Sequence, residues 1–528
     1  MKKYFGVLAL TVFTNSVLLS QTTTVFDYSF SGDGIVTATP GPNNDGKSSD
    51  VLLQPDGKIL VAGKTLQPAS DEDFLLIRYN TNGTLDNTFG TGGVVITAVS
   101  NAAEGIGDIH LQPDGKILAL GYNGMTGSTC IVRYNSDGSL DNTFGAGGIV
   151  NWDLTGVGQI QIPGDLALQS NGKIVLGVTT FGDAIYNSDI AFGRLNSNGT
   201  IDNTYGTNGI VLYHLTFDFD ILSDMDIQAD GKVIAVGYIQ NLTGNSYIFS
   251  ALLDSDGIFD AAYDGGLILD TISSIQSDYA NCILVQPDGK ILIGGTSTEQ
   301  AASKYLFIRY NSNGTRDNTF GTNGVVTQTF NSGSRYLQDM VLMPNGKILV
   351  VGKDDFGSDT HFARFNTNGT PDNTFNSDGH AEVDITLGAG ITDDMRAIAI
   401  QTDGKILTTG YCDACTTGTA TTARFVVNMV PVIVIGLNDY IVPATEVVVY
   451  PNPLQDCETL KYTLGDNDQI SISLIDNQGK LVAEFVKSEA RNKGNHEELL
   501  TLPPTLPNGT YFIQIASPKG KVSVKVLK

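Results

Sequence analysis

This 528-residue chain is poor in tryptophan, histidine, cysteine and positive charge. Trp152 is the single indole, and one indole does not make a stacking platform for sugars. The five histidines, His110, His214, His361, His380 and His496, are scattered, with no H-E-x-x-H pair and no serine elbow in the chain. Each reads as an ordinary strand or loop residue. Lysine and arginine total 31 against 56 aspartates and glutamates, a formal charge of −25. Such a chain repels nucleic acid and anionic lipid, so neither is an expected partner. Five cysteines is an odd count. Cys130 and Cys282 stand in strand-like runs as small hydrophobes. Cys412 and Cys415 form "YCDAC", a pattern open to a local disulfide, a redox pair or half a zinc site. No second pair completes a zinc site and no βαβ pattern surrounds it, so a disulfide is the best reading. Cys457 has no evident partner.

Long apolar runs are missing too. After the start, the one strongly apolar stretch is 426–436, broken by Asn428 and Pro431 and too short to cross a bilayer. The first twenty residues differ: Lys2 and Lys3, an apolar run over 4–19, then Ser20 before Gln21. They read as a signal peptide, and the mature protein as exported, soluble and monomeric, with no transmembrane segment. A helical period is absent throughout.

What is abundant is glycine, 60 residues, alongside many Asn, Asp and Thr, the mark of a turn-rich β protein. One phrase recurs as "LQPDGKIL" (53–60 and 111–118), "LQSNGKIV", "IQADGKVI", "VQPDGKIL", "LMPNGKIL" and "IQTDGKIL". Its lysines, Lys58, Lys116, Lys173, Lys232, Lys290, Lys347 and Lys405, are spaced 58, 57, 59, 58, 57 and 58 apart. Such a period marks a propeller, solenoid or array. Pro-Asp-Gly suits a tight turn, Pro presetting φ and Gly accepting the left-handed corner. The run after it, "KILVAG", is apolar at consecutive positions, which implies a strand covered on both faces. "FLLIRYN" (74–80) gives a third strand, and "VVITAV" a fourth after the turn-rich "TNGTLDNTFGTGG". Four short strands per unit make a propeller blade.

The unit also carries an aromatic anchor: Phe30, Phe89, Phe144, Tyr205, Tyr263, Phe320 and Phe375. The seventh unit ends at "ARFVVN" (423–428) without a "DNTFG" of its own, and the missing piece stands at the other end of the chain as "DYSFSGDGIV" (27–36). That arrangement is what closing a ring requires, and a closed ring leaves no open sheet edge. The expected fold is all-β: a seven-bladed β-propeller over 21–428, a linker over 429–445, and a small Ig-like β-sandwich over 446–528. The repeats resemble the delta-60 β-propeller family, on "LQPDGKILVAG", "FLLIRYN" and "NGTLDNTFG" in fixed order. That resemblance implies no established enzymatic activity.

Within the repeat, "NTNGTLD" offers oxygen ligands at Asn80, Asn82 and Asp86, and its counterpart at Asp254, Asp256 and Asp260 is fully acidic. Calcium favours such oxygens. Asx-type turns account for the same residues without an ion. The Asp254 unit is therefore the calcium candidate, and Ca2+ the one cofactor considered. Six units carry an arginine near the end of the third strand, Arg78, Arg133, Arg194, Arg309, Arg364 and Arg424, with Leu252 in the fourth. Pairing with the Asp86-type residue is weakened by Asp260, which persists where the arginine is lost. Repetition argues for scaffold, and a single site is expected from what differs between blades, such as the loops at 39–49, 64–73 and 178–189.

The tail changes pattern. "ISISLI" (470–475) alternates, and "DNQGK" (476–480) and "PNG" (507–509) are hairpin turns. With Tyr450-Pro451-Asn452-Pro453, Gly479, Gly509, Tyr511 and the terminal "KVLK", this module resembles the C-terminal sorting domain of type IX secretion in Bacteroidota. The resemblance implies the type IX machinery as partner and the cell surface or medium as destination. The functional expectation is a non-enzymatic binding or adhesion platform for a glycan or protein. Its competitors are a polysaccharide hydrolase or lyase using carboxylates on one face, such as Asp393 and Asp394, and a calcium-stabilised surface component.

Overall fold

The computed structural model describes residues 25–26, 30–31, 35–38, 46–67, 71–155, 160–182, 188–215, 219–241, 244–272, 277–299, 302–330, 333–354, 360–376, 378–383, 392–401, 404–416, 419–428, 444–450, 457–464, 467–476, 480–503, 506–507, 510–517 and 520–527. Every regular element among them is a strand. The chain divides into two units, Met1–Val432 and Ile433–Lys528.

In the first unit the strands form seven four-stranded antiparallel blades; blades 3 and 4 are linked by one parallel pairing, Ser188 with Phe219, and blade 7 carries an extra short strand, Val25–Phe26, paired with its third strand. Blade 1 is Gly46–Leu53, Ile59–Leu66, Glu72–Tyr79 and Val94–Thr97. Blades 2 to 6 begin at Glu104, Ile160, Phe219, Asp278 and Arg335 and repeat that order. Blade 7 takes Thr392–Ile400, Ile406–Thr416 and Thr419–Asn428 from the end of the repeat array, and its fourth strand, Ile35–Ala38, from the start. Ile35 pairs with Phe425 and Val36 with Arg424. The first strand of each blade touches the first strands of both neighbours all the way round, blade 7 against blade 1 included. The ring is closed.

Local chemistry accounts for the blade. The turn between first and second strands is five residues in all seven units (54–58 in blade 1). Gln54 N–H donates to the Lys58 carbonyl at 2.9 Å and Gly57 N–H to the Gln54 carbonyl at 2.8 Å, and the same two bonds recur in every unit. Gly57 sits at φ 82°, which a side chain would strain. The second strand is buried on both faces as its unbroken apolar run requires: Ile59, Leu60, Val61 and Ala62 are all at most 1% exposed. Each first strand carries a bulge, at Ser49 in blade 1, that kinks it around the axis.

Blades are joined by a contact that repeats. Phe89 is fully buried, and its ring lies where a Cβ on Gly138 of the next blade would fall, at 3.0 Å. The Gly90 amide then donates to the Asp137 carbonyl at 2.8 Å. Phe144 meets Gly199, Tyr205 meets Gly257 and Phe320 meets Gly369 in the same way. The chain start completes the series. Phe30 packs on Gly83, and Ser31 N–H donates to the Asn82 carbonyl at 2.9 Å. All seven aromatic anchors are buried.

The second unit holds two sheets. One runs Ala444–Tyr450, Cys457–Leu464, Gly494–Thr501, and the other Leu481–Arg491, Asp468–Asp476, Thr510–Ser517, Gly520–Leu527. Ile470, Ile472 and Leu474 of one sheet share a core with Leu460, Tyr462 and Leu500 of the other. The alternation over 470–475 is that buried face.

Truncating the closing anchor tests the ring. Phe30→Ala lowers the stability of the propeller by about 3–5 kcal/mol, read from the denaturant midpoint of its unfolding, while Phe30→Leu costs clearly less.

Candidate functional site

The repeated polar residues form a scaffold below the third and fourth strands. Arg78 Nε donates to Asp86 Oδ2 at 2.7 Å, and Lys58 Nζ reaches the same oxygen at 3.0 Å. Arg78 Nη1 donates to the Ser136 carbonyl of the next blade, and its guanidinium lies 4.5 Å over the Phe89 ring. Arg133, Arg194, Arg309 and Arg364 pair in the same way with Asp141, Asp202, Asp317 and Asp372. The arginine–aspartate pairing that the sequence argued against is therefore real. Asp260 outlives the loss of its arginine because Lys232, the repeat lysine, holds it at 2.6 Å. Burial pushes the Asp141 carboxyl up, but the Thr143 hydroxyl and amide and Arg133 outweigh it and hold it at about 2. Asp372 is held at about 2 by Lys347, Thr374 and Arg364 against the same burial.

The turn oxygens are engaged locally. Asn82 Oδ1 accepts from the Thr84 amide and hydroxyl, and Asn80 Nδ2 donates to Thr84 Oγ1. Asp254 Oδ1 accepts from the Asp256 and Ile258 amides at 2.9 and 3.0 Å, while Asp260 faces Lys232. These three carboxylates do not converge among the described residues. Cys130 and Cys282 are buried free thiols. The side chains of Cys412, Cys415 and Cys457 lie outside the described residues, as do Pro451, Asn452, Pro453, Gly479, Gly509 and residues 1–20. Tyr450 ends the strand Ala444–Tyr450, and Tyr511 Oη donates to the Pro507 carbonyl at 2.9 Å.

Sequence reasoning missed the axis of the ring. One residue beyond each bulge stands Asp50, Asp108, Asp165, Asp224, Cys282, Asp339 or Ala397. The carboxylates bridge blades. Asp50 accepts from its own Val51 amide at 2.7 Å and from Ile109 of blade 2 at 3.0 Å. Asp165 bridges to Met225, Asp224 to Ile283, and Asp339 to Ile398, at 3.1, 2.8 and 2.8 Å. Burial pushes Asp50 and Asp224 up to about 7 and Asp339 to about 8, more than the amide bonds pull them down. His110 enters this ring from blade 2. Its Nε2 lies 3.3 Å from Asp108 Oδ2 and 3.6 Å from Asp165 Oδ1. Burial disfavours its charge, but Asp108 and then Asp165 hold it well above the ordinary histidine value.

A second histidine cluster stands in blade 6. His361 Nδ1 and His380 Nε2 are 2.9 Å apart, with ring planes 13° apart and centroids 5.2 Å apart. Arg335 Nη2 donates to Glu382 Oε1 at 2.9 Å, and Phe330 stacks on His380. Burial, then Arg335 and His380, lower His361 to about 4. Asp394 pairs with Arg396 at 2.7 Å and Lys353 at 3.2 Å.

Two family patterns match this sequence. The one described as "Domain of unknown function (DUF5122) beta-propeller" matches 54–89, 112–144, 169–205, 286–320 and 344–375. "Secretion system C-terminal sorting domain" matches 448–528. Its repeats thus match a β-propeller pattern of delta-60 type and its tail a type IX secretion sorting domain, a combination consistent with Bacteroidota. The sorting domain marks proteins exported to the outer cell surface or secreted, and implies contact with the secretion machinery. No helix among the described residues is long and apolar enough to cross a membrane. No curated protein matches the chain. Among solved structures it is similar to a fungal AA5-family alcohol oxidase in complex with copper (13% identity, 93% of this chain and 98% of that one, TM-score 0.41). It is also similar to polysaccharide lyase Uly1 (13%, 79% and 94%, 0.43) and to PorZ, a surface component of the type IX secretion system of Porphyromonas gingivalis (9%, 91% and 81%, 0.23). Scores at this level say nothing of activity.

The scaffold pairs predict an acid limit. Asp141 and Asp372 have folded-state values below their unfolded ones, so their stabilisation is full above about pH 4. It is lost as the pH falls through about 2. Asp141→Asn strands Arg133 and costs about 3–5 kcal/mol in urea unfolding. Asp260→Asn, whose carboxylate meets the part-exposed Lys232 and the Ala262 amide, costs about 1 kcal/mol or less.

Proposed function

We propose that the protein is a non-enzymatic binding platform at the cell surface, and that it recognises a glycan or protein through one face of its ring. The observation that carries this is the segregation of its loops. The strands of a blade alternate in direction, so the first–second and third–fourth connections leave at one face and the others at the opposite face. The first kind is constant: five residues in all seven first–second turns, and 14 in the third–fourth connection of blade 1 (80–93), cross-braced by Arg78 and Asp86. The second kind varies. The second–third connection runs from two residues (300–301) to six (182–187). A rigid ring with one invariant face and one variable face is the arrangement of a recognition scaffold. The sorting domain supports a ligand met outside the cell.

The full-length protein, labelled, is tested on glycan arrays and surface-protein panels. Replacing 182–187 by the two-residue connection of blade 5 is expected to weaken binding about tenfold or more, while Asp114→Ser on the constant face leaves it unchanged. Binding indifferent to every variable-face exchange, or release of new sugar ends from a bound glycan, contradicts the proposal.

A further inference from the structure

Two groups of three metal-ligand-type side chains occur among the described residues, His361–His380–Glu382 and Asp108–His110–Asp165. In the first, the rings are nearly coplanar, and their centroids are about as far apart as two nitrogens 2.9 Å apart and pointing straight at each other allow. One imidazole donates to the other, and Arg335 takes the carboxylate. In that group a hydrogen bond and an ion pair already engage His361 Nδ1, His380 Nε2 and Glu382 Oε1, while His361 Nε2 is buried without a hydrogen-bond partner. In the second, His110 Nε2 stands farther from each carboxylate oxygen than those two imidazoles stand from each other. We infer that Asp108 Oδ2, His110 Nε2 and Asp165 Oδ1 form a binding site for one divalent transition ion of the zinc or manganese type, on the axis between blades 2 and 3.

Spacing is the first argument. Charge-assisted hydrogen bonds from imidazolium to carboxylate close to about 2.7–2.9 Å. Here the nitrogen stands 3.3 and 3.6 Å from the two oxygens. Ligands sharing a tetrahedral ion through bonds of about 2.0–2.2 Å lie about 3.3–3.6 Å apart. The gap is the size of an ion, not of a proton. The second argument is enclosure. Asp108 Oδ2 is sealed from water, makes no hydrogen bond of ordinary geometry, and has the His110 imidazole as its charge partner at 3.3 Å. The third is the setting: Asp50, Asp224 and Asp226, carboxyls that burial raises towards neutrality, face this trio from the neighbouring first strands. The fourth is uniqueness. The place of His110 is taken by Leu52, Ala167, Asp226, Leu284, Val341 and Ala399 in the other blades. A scaffold element repeats with the blade, and this imidazole does not. Imidazole with two carboxylates suits zinc or manganese, whereas calcium prefers oxygen alone. The His110 side chain keeps 35% of its surface open, which leaves a side of the ion for water or a ligand from the axis.

The full-length protein, stripped with chelator, is dialysed against Zn2+, Mn2+ or Ca2+. Metal per chain and the thermal midpoint are then read for the parent, His110→Asn and His361→Asn. Expected is one Zn2+ or Mn2+ per chain and a raised midpoint in the parent and in His361→Asn. In His110→Asn the affinity drops about tenfold or more and the midpoint does not move. Retention of no ion by the parent overturns the assignment. So does equal binding by parent and His110→Asn, or binding of Ca2+ alone. If His110→Asn does not fold, the Co2+-loaded parent decides: a tetrahedral absorption spectrum supports the site, and that of the hexaaquo ion refutes it.

Discussion

The closure of the ring depends on aromatic side chains lying under the glycines of their neighbours' turns, a contact that Phe30, Phe89, Phe144, Tyr205 and Phe320 all make. Phe89 needs Gly138 to have no side chain, because a Cβ there would stand 3.0 Å from the ring. The same contact recurs at Gly199, Gly257 and Gly369, and at the seam between blade 7 and blade 1 the chain start must supply the anchor. Phe30 does so, and its neighbour Ser31 makes to Asn82 the bond that Gly90 makes to Asp137. Stability and the fixed spacing of blades follow from that closure. Because the aromatic rings bury fully, each contributes about 1.5–3 kcal/mol of apolar transfer, and the last is what prevents an exposed sheet edge on blade 7.

Charge is handled differently at two radii of the ring. Under the outer strands, arginine and lysine of the repeat surround each aspartate and keep it ionised far into acid. On the axis, carboxylates face one another across blade boundaries with backbone amides as their main partners, and burial raises them towards neutrality. The same residue type thus braces a turn in one place and ties first strands together in another. His110 interrupts the second pattern once, which is why the axis is chemically asymmetric although the fold is nearly seven-fold.

Much of this was legible in the sequence, for a physical reason. A repeat writes its local turns and its burial pattern seven times, so the "QPDGK" hairpin, the doubly covered second strand and the displaced "DYSF" segment were all readable as structure. Contacts between blades were not, since they join residues about 58 positions apart. Asp260 misled because its partner was sought at the arginine position, when Lys232 at the start of the second strand is the one that remains. His110 looked ordinary because Asp165 belongs to another blade, and Asp50 because its second amide partner, Ile109, does too. The tail was read from its motif and its alternating strand, and the buried faces of Ile470, Ile472 and Leu474 agree with that reading.

Native-state hydrogen exchange of the Ser31 amide and of residues 35–38 tests the closed circle most directly. If the chain start completes blade 7, the Ser31 amide exchanges as slowly as that of Gly90, and Val36 as slowly as the paired outer-strand amides of blades 1 to 6. Exchange at the rate of a free tail, with blades 1 to 6 still protected, would contradict the account.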